Sequence, residues 1–484
     1  MGTGLRNVIA VALVFAGAPF ARAQETIRIG IGTQDTTINC AAGGAIIREL
    51  NLLDKFLPHT GTYKDVHYDI IWRNFTAGAP LGNEMFANRL DIGQMADFPA
   101  VLTADSFAHA HHGVRLLYIA NLEGSIRGAG NAIVVPIDSP IQSVRELRGK
   151  RISVPFGSTA HAMLLRAIQN QGWNPNTDVE ITTQAPEVGG SALKSHQIDA
   201  HADFVPFGEL FPFRGFARKI LDGISTGVTT THGVVVRSDF AEKYPELVVA
   251  YLRAALESDR LLRQDPEGMS ENLQKWTGID AEVVYAFHGP GGIQTRDFTL
   301  KPEFRQSLVY AADTLKVLKK VDPSFDPSSF ADEKYIRDAF RQSGLDYDSA
   351  LHNYSPLALT GTDYVTHKPV GPASSAGQIW VKGEPKLRLY RSPAATLTAL
   401  RNLEASNTPV RVAFLHDHDT GLKLFAKFAW YVQERSEIAG FLLKDSAEEY
   451  ARKHGGTVMD FNQAKESVAS NKLASERYRH GNCE

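Results

Sequence analysis

The sequence predicts an α/β protein of two lobes, followed by a small C-terminal α+β domain. Strand-like and helix-like segments alternate through the first two thirds of the 484 residues, which is typical of a doubly wound layer. A second block of the same kind interrupts the first, so two crossovers should connect two lobes around a cleft. A stretch over 354–377, rich in Pro, Gly, Ser and Thr, then separates a last unit.

The first residues have the pattern of an export signal. Arg6 supplies positive charge, residues 8–20 form an apolar run, and Ala21-Arg22-Ala23 is a small-x-small cleavage site. The run is shorter than the ~20 residues that span a bilayer as a helix. A cleaved signal is therefore favoured over its alternative, an uncleaved membrane anchor. We expect residues 1–23 to be removed and the protein to work in the periplasm.

Composition narrows the class of partner. The formal net charge is −3 and no long basic run is present, so nothing indicates nucleic-acid binding. Two cysteines, Cys40 and Cys483, lie near the two ends of the exported chain. Export permits a disulfide between them, but two unpaired cysteines are an equal alternative. A small-molecule ligand and a monomeric protein are expected.

Each of the two lobes is predicted to contain alternating strands and helices. In lobe I, strands are predicted over 26–31, 67–72 and 90–94, and helices over 41–53 and 81–89. In lobe II, strands are predicted over 131–136, 151–155, 179–183 and 198–202, and helices over 143–147 and 160–169. An apolar strand over 233–236 and helices over 245–264 and 304–319 return the chain to lobe I.

These elements define seven parts of the chain. The predicted parts are a signal (1–23), the first part of lobe I (24–127), lobe II (128–232), the return of lobe I with its C-terminal helices (233–350), a linker (351–379), a small domain (380–465) and a tail (466–484).

Several short segments keep the order and spacing of a known family. They include FTAGAPL over 75–81, NRLDIG over 88–93, VPFGSTAH over 154–161 and RSDFAEKYP over 237–245. Together they resemble the periplasmic binding proteins for aliphatic sulfonates, taurine and nitrate, over about residues 25–320. The resemblance implies a type II periplasmic binding fold, closure on a small ligand, and handover to an ABC permease and its ATPase.

One turn has the chemistry of an anion site. Backbone N–H groups and hydroxyls at a helix N-terminus hold small anions, because the helix dipole adds favourable potential there. Ser158 and Thr159 lie at such a place, with His161 one turn into the helix. Gly78 precedes another helix and permits close approach of the backbone. The alternative is an ordinary capped helix.

Three further loops are expected at strand ends that face the cleft. Their candidate ligand-binding residues are Gln34, Asp35 and Asn39, then Met95, Asp97 and Phe98, then Asp203 and Phe204. Carboxylates near an anion raise the cost of binding it unless cations offset them. The three aspartates therefore favour a cationic, zwitterionic or metal-associated ligand, unless they cap helices or face solvent. No nucleophile–base pair and no Gly-rich phosphate loop is evident, so no enzymatic activity is predicted.

The C-terminal unit has a resemblance of its own. FAWYV over 428–432, AEEYA over 447–451 and HGGTV over 454–458 resemble the accessory copper-binding protein of nitrous-oxide-reductase maturation. That family binds Cu(I) through an early Met/Cys motif. This chain lacks the motif, because Met459 is the only methionine of the unit and Cys483 the only nearby cysteine.

Two histidines are the candidates that could replace the motif. His416 and His418 alternate on a segment that reads as extended, so their side chains should project to the same face. Imidazole and carboxylate suit harder divalent ions, which makes a transition metal the possible cofactor. The alternative is a solvated turn before Gly421. A metal site here would make the protein a periplasmic metal-handling accessory, the second functional hypothesis.

Overall fold

The structure, a computed structural model, describes residues 25–110, 113–371, 375–435 and 437–469. The expected signal over 1–23 and the second cysteine, Cys483, lie outside the described residues. Cys40 is buried and free. In the described part of the chain, no helix combines the length and the hydropathy needed to cross a membrane.

Lobe I is built on a six-stranded mixed sheet. In chain order its strands are β1 (Glu25–Thr33), β2 (Val66–Asn74), β3 (Ile92–Ala96), β4 (Leu116–Ser125), β10 (Thr230–Arg237) and β11 (Thr295–Arg296). Their order across the sheet is β11-β4-β10-β3-β1-β2. β1 pairs in parallel with β2 over nine residues, and β10 runs antiparallel between β3 and β4. All ten residues of β4 are buried.

Helices cover both faces of this sheet. The N-terminal ones are α1 (Ile38–Cys40), which continues through a π turn (Ala41–Ala45) into α2 (Ile46–Glu49), then α3 (Gly78–Phe86) and α4 (Asp97–His109). The returning ones are α8 (Ser238–Lys243), α9 (Pro245–Gln264), α10 (Pro266–Thr277), α11 (Ala281–His288), α12 (Pro302–Val317), α13 (Lys334–Gln342) and α14 (Tyr347–His352). Pro245 at the first turn of α9 suits a position whose N–H has no partner within the helix.

Lobe II is a five-stranded sheet inserted into lobe I. Its strands are β5 (Ala132–Pro136), β6 (Arg151–Val154), β7 (Glu180–Thr183), β8 (Ala200–Asp203) and β9 (Ala217–Asp222), in the order β7-β6-β8-β5-β9. Its helices are α5 (Thr159–Asn170), α6 (Pro186–Lys194) and α7 (Phe207–Phe213). The predicted helix over 143–147 is a short 3-10 helix (Val144–Leu147), which begins with a capping box between Ser143 and Glu146.

Two crossovers join the lobes and pack directly against each other. A Cβ at Gly128 would lie 2.5 Å from the Val228 carbonyl oxygen, and one at Gly223 would lie 2.3 Å from the Gly128 carbonyl oxygen. Gly128 also has a φ of 84°, which glycine adopts without the steric cost that a side chain adds. The hinge between the lobes is therefore a backbone-to-backbone contact.

The C-terminal unit is α+β. Strands β12 (Gly377–Val381), β13 (Arg388–Tyr390), β14 (Val410–His416) and β15 (Lys423–Phe425) form one sheet in the order β13-β12-β14-β15. Strands β16 (Trp430–Glu434), β17 (Glu437–Phe441) and β18 (Thr457–Met459) form another in the order β17-β16-β18. The helices are α15 (Pro393–Ala405), α16 (Lys444–His454) and one over 461–469.

The unit packs on lobe I through aromatic and charged groups. The Tyr285 ring of α11 lies 5.6 Å from the rings of both Trp380 and Phe414. Arg411 stacks over Trp380 and pairs with Glu282 at 2.7 Å. The unit therefore docks on lobe I through these contacts.

The predicted two-lobed α/β architecture with a small α+β addition is confirmed, and three boundaries differ. β10 begins at Thr230, so residues 230–232 join the lobe I sheet rather than lobe II. β12 begins at Gly377, inside the expected linker over 351–379, because this Gly-Gln-Ile-Trp-Val strand is buried between two neighbours. The helix over 461–469 includes the expected start of the tail at residue 466.

Candidate functional site

The candidate site is a cavity of about 60 Å³ between the two lobes. Lobe I contributes the loop after β1, the first turn of α3 and the start of β10. Lobe II contributes the turn between β6 and α5 and the loop after β8. Six of the twelve predicted ligand-binding residues line it: Gln34, Asn39, Gly78, Ser158, Thr159 and Phe204.

The first turn of α3 forms one wall. Ala77 precedes it in extended backbone and supplies no side-chain cap, so the first N–H groups of the helix have no partner within it. A Cβ at Gly78 would lie 2.5 Å from Cγ of Pro99, which also lines the cavity. Glycine therefore lets the helix N-terminus approach the cavity closely.

The first turn of α5 forms the facing wall, from the other lobe. Gly157 turns the chain at a φ of 73°, and Ser158 follows in extended backbone. The Ser158 hydroxyl accepts a hydrogen bond from the His161 N–H at 3.3 Å and donates one to the Pro155 carbonyl at 2.6 Å. Thr159 then begins the helix. Two helix N-termini thus meet at one cavity, and both dipoles favour negative charge there.

Polar side chains of lobe I complete the wall between these helices. Gln34 donates from Nε2 to the Gln94 carbonyl at 2.9 Å, which holds its amide in place. Thr37 and Asn39 are 3% and 4% exposed, and the Thr37 hydroxyl and the Asn39 carbonyl oxygen have no hydrogen-bond partner among the described residues. Buried polar groups without partners are uncommon, and both residues line the cavity.

His232 lines the same cavity from the start of β10, and its ring lies beside a thiol. Nε2 of His232 is 3.2 Å from Sγ of Cys40. Burial lowers the pKa of His232 to about 3 and raises the pKa of Cys40 well above its ordinary value. Both groups are therefore neutral near pH 7, and the cavity wall carries no charged side chain among the described residues.

The expectation of an acid-lined cleft is wrong, because all three aspartates face other partners. Asp35 pairs with Arg48 at 3.0 Å. Asp203 pairs with Nε2 of His201 at 2.8 Å and accepts from the Phe204 N–H. Neither lines the cavity.

Asp97 lies in the interior at the start of α4, also away from the cavity. Its carboxylate accepts a hydrogen bond from the Phe98 N–H at 2.8 Å. Burial raises the pKa of Asp97 to about 8, so this carboxyl is mostly protonated at neutral pH. The argument from these acids for a cationic or zwitterionic ligand therefore loses its basis.

Three other predicted residues support the site without lining it. Met95 and Phe98 are buried in the core beneath α3 and α4. The His161 ring stacks on Phe156 at 4.6 Å, and burial lowers the pKa of His161 to about 4. Phe156 is 49% exposed and lines the cavity, so its ring is an apolar surface at the site.

Several lining residues were not predicted from the sequence. Five of them lie near the crossovers between the lobes, namely Asn131, Thr230, Thr231, His232 and Gln294. The polar run over 229–232, directly before the apolar strand over 233–236, is the signal that marks this position. It marks the polar start of this strand, but only the crossover topology brings that start to the cleft.

The two metal candidates of the C-terminal unit are separated. His416 is buried, with Nδ1 3.1 Å from the Ala376 carbonyl oxygen. His418 is exposed and packs on Phe441 and Tyr450. Across the described ranges, no three His, Cys, Asp or Glu side chains lie close enough together to hold a metal ion. The expected pairing of the two histidines on one face is therefore wrong.

Known proteins resemble the two-lobed part of the chain. An Escherichia coli (strain K12) protein named for binding aliphatic sulfonates is 28% identical over 292 residues, which are 59% of this chain and 85% of that protein. The taurine-binding periplasmic protein of the same organism is 27% identical over 208 residues, 42% of this chain and 62% of that protein.

A solved structure shows the same fold. The alkanesulfonate-binding protein SsuA of Xanthomonas axonopodis pv. citri, bound to MOPS, superposes with a TM-score of 0.53 at 22% identity and covers 64% of this chain and 100% of its own. Residues 95–269 match the family described as NMT1/THI5 like. The two lobes thus have the fold of this sulfonate-binding protein, and residues 95–269 are similar to the NMT1/THI5 like family.

Proposed function

We propose that the protein captures a small organosulfonate between its lobes, as the periplasmic binding component of an ABC importer. The observation that carries the proposal is the meeting of two helix N-termini, at Gly78 and Ser158, in a cavity whose described wall has no charged side chain. Dipoles and N–H donors stabilise an anion without a counter-ion. A sulfonate suits such a site, because it keeps its negative charge without help from the wall.

The wall also favours an organic ligand over an inorganic one. Phe156, Phe204, Val205 and Pro99 line the cavity together with three alanines. These groups suit a hydrocarbon body, since burial of apolar surface contributes roughly 25 cal/mol per Å². Nitrate has no such body. An alkanesulfonate uses both the polar and the apolar parts of the wall.

The absence of a wall carboxylate among the described residues sets a preference between sulfonates. Taurine carries an ammonium group, whose desolvation inside the cleft needs a paired anion. Because Asp35, Asp97 and Asp203 have other partners, no acid of the described wall offers one. We therefore expect ethanesulfonate to bind more tightly than taurine.

Relatives support the cellular role. They include proteins named for sulfonate and taurine binding, and one named as an ABC transporter periplasmic binding protein. On this basis the chain is a binding protein rather than an enzyme. It delivers its ligand to a membrane permease driven by an ATPase.

Calorimetric titration of the purified chain tests the ligand class. The ligands are ethanesulfonate, taurine, nitrate and the uncharged isostere ethanesulfonamide. We expect ethanesulfonate to bind at least tenfold more tightly than taurine or nitrate, and ethanesulfonamide to give no measurable heat. Tight binding of the sulfonamide, or no binding of any sulfonate at millimolar concentration, would overturn the proposal.

A pair of glycine variants tests the location. Gly78→Ala places a methyl group against Pro99 and displaces the N-terminus of α3, so affinity for ethanesulfonate should fall at least tenfold. Gly440→Ala in β17 is the matched control, because its Cβ meets only ordinary contacts of 3.5 Å or more. Equal affinities for the two variants would place the ligand elsewhere.

A further inference from the structure

The C-terminal unit contacts both lobes, and its contacts with lobe I are specific. Lys386 pairs with Asp265 at 2.8 Å and with Glu267 at 2.9 Å. Gln378 of β12 donates from Nε2 to the Tyr285 hydroxyl at 2.9 Å. These bonds add to the ring contacts that Tyr285 makes with the unit. Because hydrogen bonds and charge-assisted pairs need defined distances and angles, they fix the unit in one orientation on lobe I.

The contacts of the unit with lobe II are apolar. The ring of Phe213 in α7 lies 5.3 Å from the ring of Phe425 in β15. Phe425 also lines a cavity of about 190 Å³ at this junction. Ile137 and Pro212 line the cavity from lobe II, and Phe428 lines it from the unit. Close-packed interiors leave few such voids, so the unit rests on lobe II less tightly than it is held on lobe I.

The two lobes and the unit meet at α11 of lobe I. This helix packs against both α7 of lobe II and β15 of the unit. Ala286 of α11 and Ile293 after it line the junction cavity, whereas the next residue, Gln294, lines the cleft cavity. In lobe II, Val205 lines the cleft and Gly208 lines the junction cavity. The junction therefore adjoins the cleft, and a rotation of one lobe against the other must change both.

The unit is also bonded to a crossover between the lobes. Arg127 donates from Nη1 to the Thr420 carbonyl at 2.8 Å. Arg127 directly precedes Gly128, whose backbone makes the close contact at the hinge. Asp417 holds the turn that carries Thr420, since its carboxylate accepts from the Thr420 N–H at 2.9 Å and from the Thr420 hydroxyl at 2.6 Å. A defined turn of the unit thus lies against the hinge.

We propose that the C-terminal unit is a brace, which limits the rotation of lobe II against lobe I and keeps the cleft near one interlobe angle before a ligand binds. Domains that share no large apolar interface are expected to move relative to each other. The unit adds such an interface, because it is anchored on lobe I and its rings rest on α7. Rotation of lobe II would separate Phe213 from Phe425 or press the two rings together, and either change costs free energy. The brace acts whatever ligand the cleft binds.

The distance between two spin labels tests the proposal on the full chain after dialysis, without added ligand. Val317 of α12 in lobe I is 82% exposed and Val188 of α6 in lobe II is 55% exposed, so cysteines at both positions are open to labelling. Cys483→Ser removes the tail cysteine, and Cys40 is buried. Double electron–electron resonance then gives the distribution of the distance between the lobes. We expect one narrow distribution, and a broad or two-peaked one would overturn the proposal.

Two variants of the labelled protein remove contacts of the brace. Phe213→Ala removes the ring that rests on Phe425 and should widen the distance distribution at least twofold. Arg127→Met removes the hydrogen bond to the Thr420 carbonyl. It should widen the distribution by a smaller but measurable amount, because a single hydrogen bond contributes little.

Phe56→Ala is the matched control for Phe213→Ala. The half-buried ring of Phe56 packs within lobe I, where the Arg253 guanidinium lies 4.7 Å from its centroid. Its loss should leave the distribution between the lobes unchanged. Equal widening in Phe56→Ala and Phe213→Ala, or wild-type width in Phe213→Ala, would overturn the proposal. Arg127 is exposed, so Arg127→Met decides the question even where Phe213→Ala fails to fold, and wild-type width in it would then overturn the brace.

Discussion

The thiol of Cys40 lies 3.2 Å from Nε2 of His232, beside the wall of the interlobe cavity. The two residues are 192 positions apart in the chain and are brought together by α1 and the returning strand β10. A cysteine beside a histidine is the arrangement of an activated nucleophile. Here burial raises the pKa of Cys40 and lowers the pKa of His232, so the pair is a hydrogen bond between neutral groups.

The rate of alkylation of Cys40 measures whether its thiol is activated. In a Cys483→Ser background, iodoacetamide at pH 8 should modify folded Cys40 at least a hundredfold more slowly than a free cysteine, because the thiolate is the reactive form and the site is buried. Intact-mass spectrometry follows the reaction. Denaturant should restore the ordinary rate. Rapid modification of the folded protein would mean that the thiol is activated after all.

The two helix caps Ser158 and Ser392 offer a matched pair of substitutions. Each hydroxyl accepts from a backbone N–H three residues on, at 3.3 Å and 3.1 Å. Loss of such a cap costs about 0.5–2 kcal/mol, so Ser158→Ala and Ser392→Ala should lower the free energy of unfolding by similar amounts in urea titrations. Only Ser158→Ala should also weaken ethanesulfonate binding, since only that helix faces the cleft. A loss of binding in Ser392→Ala would point to a global effect.

Asp97 should make the protein less stable as pH rises. The carboxyl ionises near pH 3.8 when unfolded, whereas burial raises its pKa to about 8 in the folded protein. Between these values unfolding releases a proton, so the stability that Asp97 contributes at low pH is lost as pH increases. Compared with Asp97→Asn, the wild type should lose on the order of a few kcal/mol between pH 5 and pH 8. Urea titrations at both pH values measure the free energies of unfolding of the wild type and of Asp97→Asn. If the difference between the two proteins is the same at pH 5 and at pH 8, Asp97 is ionised throughout.

Arg411 should hold the C-terminal unit to lobe I. It pairs with Glu282 at 2.7 Å and with Glu271 at 2.5 Å while it covers Trp380. Arg411→Met removes these charge-assisted contacts and should lower the free energy of unfolding by about 1–3 kcal/mol.

The matched control for Arg411→Met is Arg148→Met. Arg148 is 67% exposed in its ion pair with Asp178, and an exposed pair contributes little. The change in this control should stay within about 0.5 kcal/mol. Equal effects of the two substitutions in urea titrations would mean that the docking contacts add no stability.

Local patterns predicted many of the elements. The helix over 245–264 coincides with α9, since a proline at its start and a regular apolar stripe are visible in the sequence. β4 escaped prediction because all ten of its residues are buried, which removes the alternation that identifies a strand. Capping at Ser158 and Ser392 was also predictable, because a cap depends on residues three positions apart.

The candidate site was likewise predictable from local sequence only in part. The sequence alone determined that helix N-termini at Gly78 and Ser158 would be candidates, since Gly, Ser and Thr at a strand-to-helix turn are local signals. Only the tertiary structure decided that Asp35 pairs with Arg48 and Asp203 with His201, and that His232 reaches the cleft. Periodicity specifies which face of an element is buried. It does not specify which distant group meets that face, because partners such as Cys40 and His232 are joined by the fold and not by the chain between them.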